Sequence, residues 1–324
     1  MNIFTIFVLA LAVPGLASAA DTAGEEISGE QEGFFVLMDR DPAELPDPPD
    51  LDKIKTIPVG ENIYLLQGAF SNTGICIGED SVVMVDPGMP EISDVLVASV
   101  RALTDKPIEY VVNTHWHWDH TGANENMAKL GATLVAQEDA LQWMTTWQIS
   151  GRAGTPKAPQ PPLGVPKITF VERMNIAVAG CPITLTGPDP AHTQGDAIVQ
   201  FNHADIWQLG DIYLQGTFPY FDLNTGGDIN GLIATLDELL QEIGPDTIVI
   251  PGHGAISNGA EMREFRDMAV TLRDRVQDAI DAGKSKDETV AMNLTADLDE
   301  QWGNPFVTGP FLSTIIHVSL SGSQ

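Results

Sequence analysis

His115-Trp116-His117-Trp118-Asp119-His120 places three histidines and an aspartate within six positions, interleaved with two tryptophans. The stretch follows the apolar run Tyr110-Val111-Val112, which reads as a strand, and a helical pattern starts beyond it. In an extended chain residues i and i+2 share a side, so the imidazoles of His115 and His117 reach one point. Entry into a helix then swings Asp119 and His120 towards a neighbouring point. A single strand-to-helix junction thus offers four side chains of the types that bind zinc at about 2 Å.

The remaining histidines fit the same scheme. Of seven in the chain, five lie at punctuated junctions: the three above, His192 in DPAHTQGD and His253 in PGHG. Asp211 in QLGD closes a strand predicted over Asp205 to Leu209, and Asp86 in VDPG closes another. Histidine is scarce here yet concentrated at strand ends, which a random surface distribution would rarely produce. His203 and His317 lie outside these junctions and read as surface or packing histidines.

Outward from the junction, short β-branched runs (KTIPVG, NIYLLQG, GICIG, SVVMVD) predict an antiparallel meander. Helices are predicted at Glu91 to Leu103, after Thr121, and from Glu138 to about Ser150, with strands at Glu109 to Val112 and Thr133 to Ala136. The tract Gly151 to Pro166 (GRAGTPKAPQPPLGVP) marks a long loop. The scheme then repeats: strands around Ile168, Ile176, Ile183, Ala197 and Ile206, a helix at Ile229 to Ile243 and a strand at Thr247 to Ile250. A last helix, Ala260 to Ala282, spaces Met262, Phe265, Met268, Ala269, Leu272, Val276 and Ile280 along one core-facing stripe. The two similar sheet-plus-helix halves suggest two sheets packed face to face with helices outside, while pattern alone predicts an α/β chain in one compact domain.

Residues 1–20 read as a secretory signal peptide: the apolar run Asn2 to Val13 is too short to span a bilayer and leads into the small residues Ala17-Ser18-Ala19-Ala20. Residues 21–52 form an acidic, proline-rich arm. The expected location is periplasmic or secreted, with no membrane association once the signal is removed. The formal charge of −29 repels nucleic acid and anionic lipid, which excludes both as expected partners. The two cysteines, Cys76 and Cys181, lie in strand-like stretches and are expected as buried free thiols rather than as a disulfide.

Between about Val59 and Gly254 the chain carries, in order, Asp86, the His115-x-His117-x-Asp119-His120 stretch, His192, Asp211 and His253. This series resembles the metallo-β-lactamase superfamily. The resemblance implies a four-layer αββα sandwich over residues 53–324, with the site at one edge between the sheets. It implies two zinc ions, one held by His115, His117 and His192, the other by Asp119, His120 and His253, with Asp211 shared and Asp86 supporting the ligands from behind. Iron-binding relatives carry Glu at the place of His117, and this chain does not.

The implied chemistry is attack on a carbonyl by a metal-held hydroxide, with Asp119 orienting the nucleophile. Asn224 falls near the place where some β-lactam-hydrolysing relatives keep an Asn that holds the substrate carbonyl oxygen. Those relatives place a Lys three residues after the equivalent of Asp211, but here the residue is Leu214. Trp116 and Trp118 alternate with the ligands and should point away from the metals, into packing first and the cleft rim second. Trp143, Trp147 and the proline-rich loop could roof a cleft, and Phe218, Tyr220 and Phe221 could wall it. The expected partner is a small molecule: first a cyclic amide of the β-lactam type, second a lactone, ester or phosphoester. A non-hydrolytic periplasmic metal or redox accessory protein is a distant third reading.

Overall fold

The computed structural model describes residues 51, 54–149 and 156–322. The expected signal peptide, and the acidic arm apart from Leu51, lie outside the described residues.

The first sheet begins as a meander of β1 (Lys55–Gly60), β2 (Ile63–Ala69), β3 (Ser71–Ile77) and β4 (Val82–Val85), all antiparallel neighbours. Helix α1 (Ser93–Leu103) then crosses back so that β5 (Ile108–Val112) pairs parallel to β4. The short helices α2 (Trp118–Thr121) and α3 (Asn124–Lys129) precede β6 (Thr133–Gln137), again parallel. Next come α4 (Glu138–Thr145) and a small ribbon of β7 (Gln148–Ile149) and β8 (Pro156–Lys157), before β9 (Ile168–Phe170) completes the sheet beside β6.

The second sheet runs β10 (Arg173–Val178), β11 (Cys181–Thr186), β12 (Ile198–Phe201) and β13 (Ile206–Gln208), antiparallel throughout. Helix α5 (Ile229–Glu242) leads to β14 (Ile248–Ile250), parallel to β13, and β15 (Ser257–Asn258) closes the edge. The chain ends in α6 (Gly259–Asp281), α7 (Lys286–Ala291), α8 (Asp299–Trp302) and α9 (Gly309–Gly322).

Alternation along the strands sorts residues into layers. Leu65, Val83, Val85, Val112 and Val135 face Ile183, Val199, Phe201, Ile206 and Ile250 of the other sheet. Their neighbours Leu66, Val82, Met84, Val111 and Leu134 turn outward against Leu96 and Val100 of α1 and Met127 of α3. On the far side Ile198, Trp207 and Val249 meet α5, α6 and α9 through Leu236, Phe265, Leu272, Ile315 and Ile316. The result is the expected αββα sandwich.

Two expectations need correction. Cys76 on β3 and Cys181 on β11 are not free thiols but a disulfide that ties the two sheets together across the buried core. Facing positions on opposed sheets bring the two Cα atoms to 6.1 Å, although 105 residues separate them in sequence. Closing a loop of that size stabilises the fold by about 4–5 kcal/mol in the chain-entropy view. The helix from Glu138 stops at Thr145, not Ser150: the hydroxyls of Thr145 and Thr146 bond back to Leu141 O and Gln142 O, each at 2.8 Å, and Thr146 turns extended into β7. Beyond the predicted elements, the chain adds α7, α8 and α9, the last burying Leu312, Ile315, Ile316 and Leu320 against α5 and α6.

Candidate metal centre

Strands β4, β5, β13 and β14 each deliver a polar side chain just past their C-terminal ends: Asp86, His115, Asp211 and His253. His192 enters on the segment leading into β12, which is antiparallel to β13 and therefore starts at the same end of the sandwich. His117 caps α2, whose first turn carries Asp119 and His120. Two sheets thus contribute to a single edge.

The seven side chains fall into two clusters. His115, His117, His192 and Asp211 bring one potential ligand atom each to within 4.8 Å of one another, and Asp119, His120 and His253 do the same. In the first cluster His117 Nδ1 lies 3.0 Å from His115 Nε2 and 2.9 Å from His192 Nε2. In the second, His253 Nε2 lies 3.1 Å from Asp119 Oδ2 and 3.4 Å from His120 Nε2. Asp211 stands between them: Oδ2 is 3.6 Å from His192 Nε2 and 3.4 Å from His253 Nε2, and Oδ1 is 3.2 Å from His120 Nε2.

Every imidazole is held by the nitrogen that faces away from the cluster. His117 Nε2 donates to Asp222 Oδ2 (3.0 Å) and His192 Nδ1 to Tyr220 O (2.8 Å). His120 Nδ1 donates to Asp86 Oδ2 (2.9 Å) and His253 Nδ1 to Phe70 O (2.9 Å). Thr114 spends its hydroxyl proton on Asp86 Oδ2 (2.6 Å), so its oxygen accepts from His115 Nδ1 at 3.1 Å. With those protons fixed outside, the inward nitrogens of His115, His117 and His192 present three lone pairs to one another. Facing lone pairs at 3 Å repel unless a cation sits between them. The spacings approach the edge of roughly 3.3 Å that tetrahedral ligands at about 2 Å from zinc require. The donor set therefore fits a metal ion, and the second cluster with its carboxylates fits another.

The clusters differ in charge. Burial depresses His115 well below the ordinary histidine range, helped by the neighbouring His120 and His192, and it brings His192 down to about 4 against the pull of Asp211. Burial also opposes charge on His120 and His253, but there carboxylates win: Asp211, Asp119 and Asp86 hold His120 well above its ordinary value, and Asp211 and Asp119 carry His253 to about 10. Burial would raise Asp119 and Asp211, yet His120 and His253 keep both well below the usual carboxylate range.

Glycines admit these approaches. A Cβ on Gly252 would collide with Asp211 Oδ1, and one on Gly210, at φ +53°, would collide with the Thr114 side chain. Asp86 occupies the left-handed region at φ +56° and grips the Thr114 backbone N at 2.7 Å, which anchors the start of the histidine stretch.

Other residues singled out from sequence take varied places. Trp116 is buried among Ala136, Ala140 and Met144 and donates to Thr225 Oγ1 (3.1 Å), so it packs rather than faces substrate. Trp118 carries Lys157 Nζ over its ring at 4.9 Å. Trp143 donates to Gln194 O (2.8 Å), while Trp147 is exposed. Leu214 is buried and bridges His253 along the backbone. Tyr220 stacks against His117 at 6.3 Å and meets His192 at 5.6 Å, whereas Phe218 and Phe221 are core residues. The Asn224 backbone N donates to Asp222 Oδ1 (3.1 Å), and its buried Nδ2 has no hydrogen-bond partner among the described residues.

Sequence reasoning missed Asp222 and Asp196 among the residues that support the ligands. Asp222, buried behind His117, lies between the aromatic residues and Asn224 and resembles any loop aspartate in sequence. Asp196 accepts from His192 N (2.8 Å), Thr193 N (3.0 Å) and Thr193 Oγ1 (2.6 Å), and burial pushes its carboxyl up to about 7. Its proximity to His192 in DPAHTQGD was the available signal.

An αββα sandwich with two metal-ligand clusters at one sheet edge defines a class of metal-dependent scaffold. Residues 58–253 match the family model of the metallo-beta-lactamase superfamily, and the chain belongs to that superfamily of metallohydrolases. Over 165 residues it is 31% identical to a hydroxyacylglutathione hydrolase of Polaromonas sp., a match covering 49% of this chain and 54%, about half, of that relative. A probable metallo-hydrolase of Methanocaldococcus jannaschii is 24% identical over 59% of this chain and 91% of its own length. Among solved structures, a metallo-beta-lactamase from Pontibacter korlensis superposes with a TM-score of 0.55 at 18% identity, covering 67% of this chain and 99% of its own. The DIM-1 metallo-beta-lactamase gives 0.54 at 20% identity over 67% and 97%. At these identities the structural likeness concerns the fold.

Proposed function

We propose that the protein is an exported dinuclear zinc hydrolase that opens a cyclic amide of the β-lactam type. The observation that carries this reading is the pair of clusters joined at Asp211, with each imidazole locked from behind so that its free nitrogen faces the centre. His115, His117 and His192 would hold one ion, Asp119, His120 and His253 the other, and Asp211 would touch both. Such a pair supplies a water made acidic enough to attack at neutral pH and a positive field for the oxygen of the scissile carbonyl.

The chain's own residues do the rest. Asp119, partly exposed and 3.1 Å from His253, would orient the attacking water through its second carboxylate oxygen. Asn224 Nδ2, a donor without a partner among the described residues, would hold the substrate carbonyl oxygen. Tyr220, set against His117 and His192, would bound the apolar side of the cleft. Export is supported by the signal-like first 20 residues and by the buried disulfide, which an oxidising compartment maintains.

A second reading, a lactonase, esterase or thioesterase in which β-lactam cleavage is incidental, is favoured by Leu214. Its buried side chain leaves no cation where an anionic β-lactam would be clamped, and the name of the Polaromonas relative points to a thioester substrate. The segment from Lys284 onward carries just one further Lys or Arg, Lys286, and that argues against a glutathione thioester. Measuring kcat/KM of the zinc-loaded protein for a carbapenem, a penicillin, an acyl-homoserine lactone, an aryl ester and a glutathione thioester decides between them. The proposal expects chelator-sensitive β-lactam turnover to lead; no turnover of any β-lactam would refute it in favour of the second reading.

A further inference from the structure

The second ligand cluster rests on a feature that is not itself a ligand. The β2–β3 hairpin turns through a single residue, Phe70, held in the left-handed region at φ +78°. That geometry aims the Phe70 carbonyl at His253 Nδ1 (2.9 Å) and places its ring edge-on to the His253 imidazole at 5.3 Å between centroids.

The next three residues address all three ligands of the cluster. Ser71 Oγ donates to the backbone carbonyl of Asp119 (2.5 Å). Asn72 brackets His253: its backbone N donates to Gly252 O (2.9 Å), and its Nδ2 donates to Pro251 O (2.9 Å) and Gly254 O (3.1 Å). Gln67 Nε2 adds a second donor to Gly254 O at 2.8 Å. Thr73 Oγ1 donates to Asp86 O (2.6 Å), and the Asp86 carboxylate holds His120. By contrast, His117 and His192 are held by Asp222 and the Tyr220 carbonyl, which follow β13 in the other sheet. Among the described residues, no hydrogen bond from the hairpin tip reaches His115, His117 or His192.

We infer that the hairpin tip, Gln67 and Phe70 to Asn72, is a positioning clamp that sets the geometry and affinity of the Asp119–His120–His253 site separately from the other site. The inference rests on the dinuclear reading above. A backbone loop such as Pro251–Gly254 has several conformations of similar energy, and three donors from a buried side chain and its neighbour select one. A ligand held at the right distance pays less ordering entropy when the ion arrives, and partners of this kind alter metal affinity about 10- to 100-fold.

The test is a stepwise zinc titration of the whole protein against a chromophoric chelator, paired with cadmium-113 NMR to resolve the two sites. Asn72→Asp keeps the side chain's shape but turns a donor into a carboxylate facing two carbonyls. It should weaken the second binding step about 10- to 100-fold and shift one cadmium resonance, leaving the first step within about threefold. Ser71→Ala should weaken the same step by less, with Ser71→Thr restoring it; this pair decides the matter if Asn72→Asp does not fold. Equal weakening of both steps, or no change in a folded variant, overturns the clamp while leaving the dinuclear reading intact. A wild-type protein that takes up no metal overturns both.

Discussion

The two ligand clusters sit a few ångströms apart and share Asp211, yet they handle the crowding of their own ionisable side chains in opposite ways. His115 and His192 are driven neutral by burial, so the first cluster waits with converging lone pairs. His120 and His253 are kept protonated by Asp119, Asp211 and Asp86, so in the second cluster protons stand in for the ion and form hydrogen-bonded ion pairs with the carboxylates. The first cluster favours metal by repulsion within itself, whereas the second must exchange protons for it. The lesson is that ligand identity alone does not set affinity: the ratio of carboxylates to imidazoles decides whether the metal-free site is strained or satisfied.

The largest effect should come from the residue common to both. On the dinuclear reading, Asp211→Asn removes the negative charge that would balance two ions and should lower kcat/KM by about a thousandfold or more, with at most one zinc retained per chain by metal analysis. Retention of two ions with near-normal turnover would dissolve the link between the clusters. Replacing Cys76 and Cys181 together by Ala should lower stability by about 2–5 kcal/mol in urea unfolding. Because the disulfide joins the sheets that carry the ligands, both zinc-binding steps should survive in the folded fraction with their ratio unchanged.

Smaller changes separate the clusters. Asp222→Asn should weaken binding in the first cluster about 10- to 100-fold, because His117 loses the carboxylate that orients it. Asp86→Asn should act mainly on the second through His120 but reach the first as well, since Asp86 also holds Thr114. Zinc titrations of the two variants should therefore show unlike patterns. Acidity gives the mildest probe. A raised histidine pKa means the metal-free second cluster holds its proton up to about pH 10, so zinc must displace it. Its affinity should rise up to about tenfold per pH unit per proton between pH 7 and 9. The His192 contribution is already deprotonated above about pH 5, so the first step should be much flatter over the same range. Calorimetry in buffers of different ionisation enthalpy counts the protons released at each step.

Much of this was legible in the sequence because the ligands are chemically distinctive and sit where strands end. His115 to His120, His192 and His253 combine a rare residue with Gly, Pro or a helix start, and alternation in SVVMVD or in the Val111-Val112 pair fixes which layer each strand residue joins. What holds the ligands was far less visible. Phe70 and Tyr220 act through backbone carbonyls, which every residue possesses, and Asp222 is one acid among 45 acidic residues. The Cys76–Cys181 bond depends on two strands from different sheets facing each other, a pairing that local pattern does not encode. The end of α4 turned on threonine hydroxyls competing for helical carbonyls, an effect that an apolar stripe does not register.

The central claim is that two ions share Asp211, and anomalous diffraction at the zinc absorption edge from crystals of the zinc-loaded protein tests it most directly. Two peaks are predicted, one among His115, His117 and His192, one among Asp119, His120 and His253, with the Asp211 carboxylate touching both. A single peak, or none at this sheet edge, would contradict it.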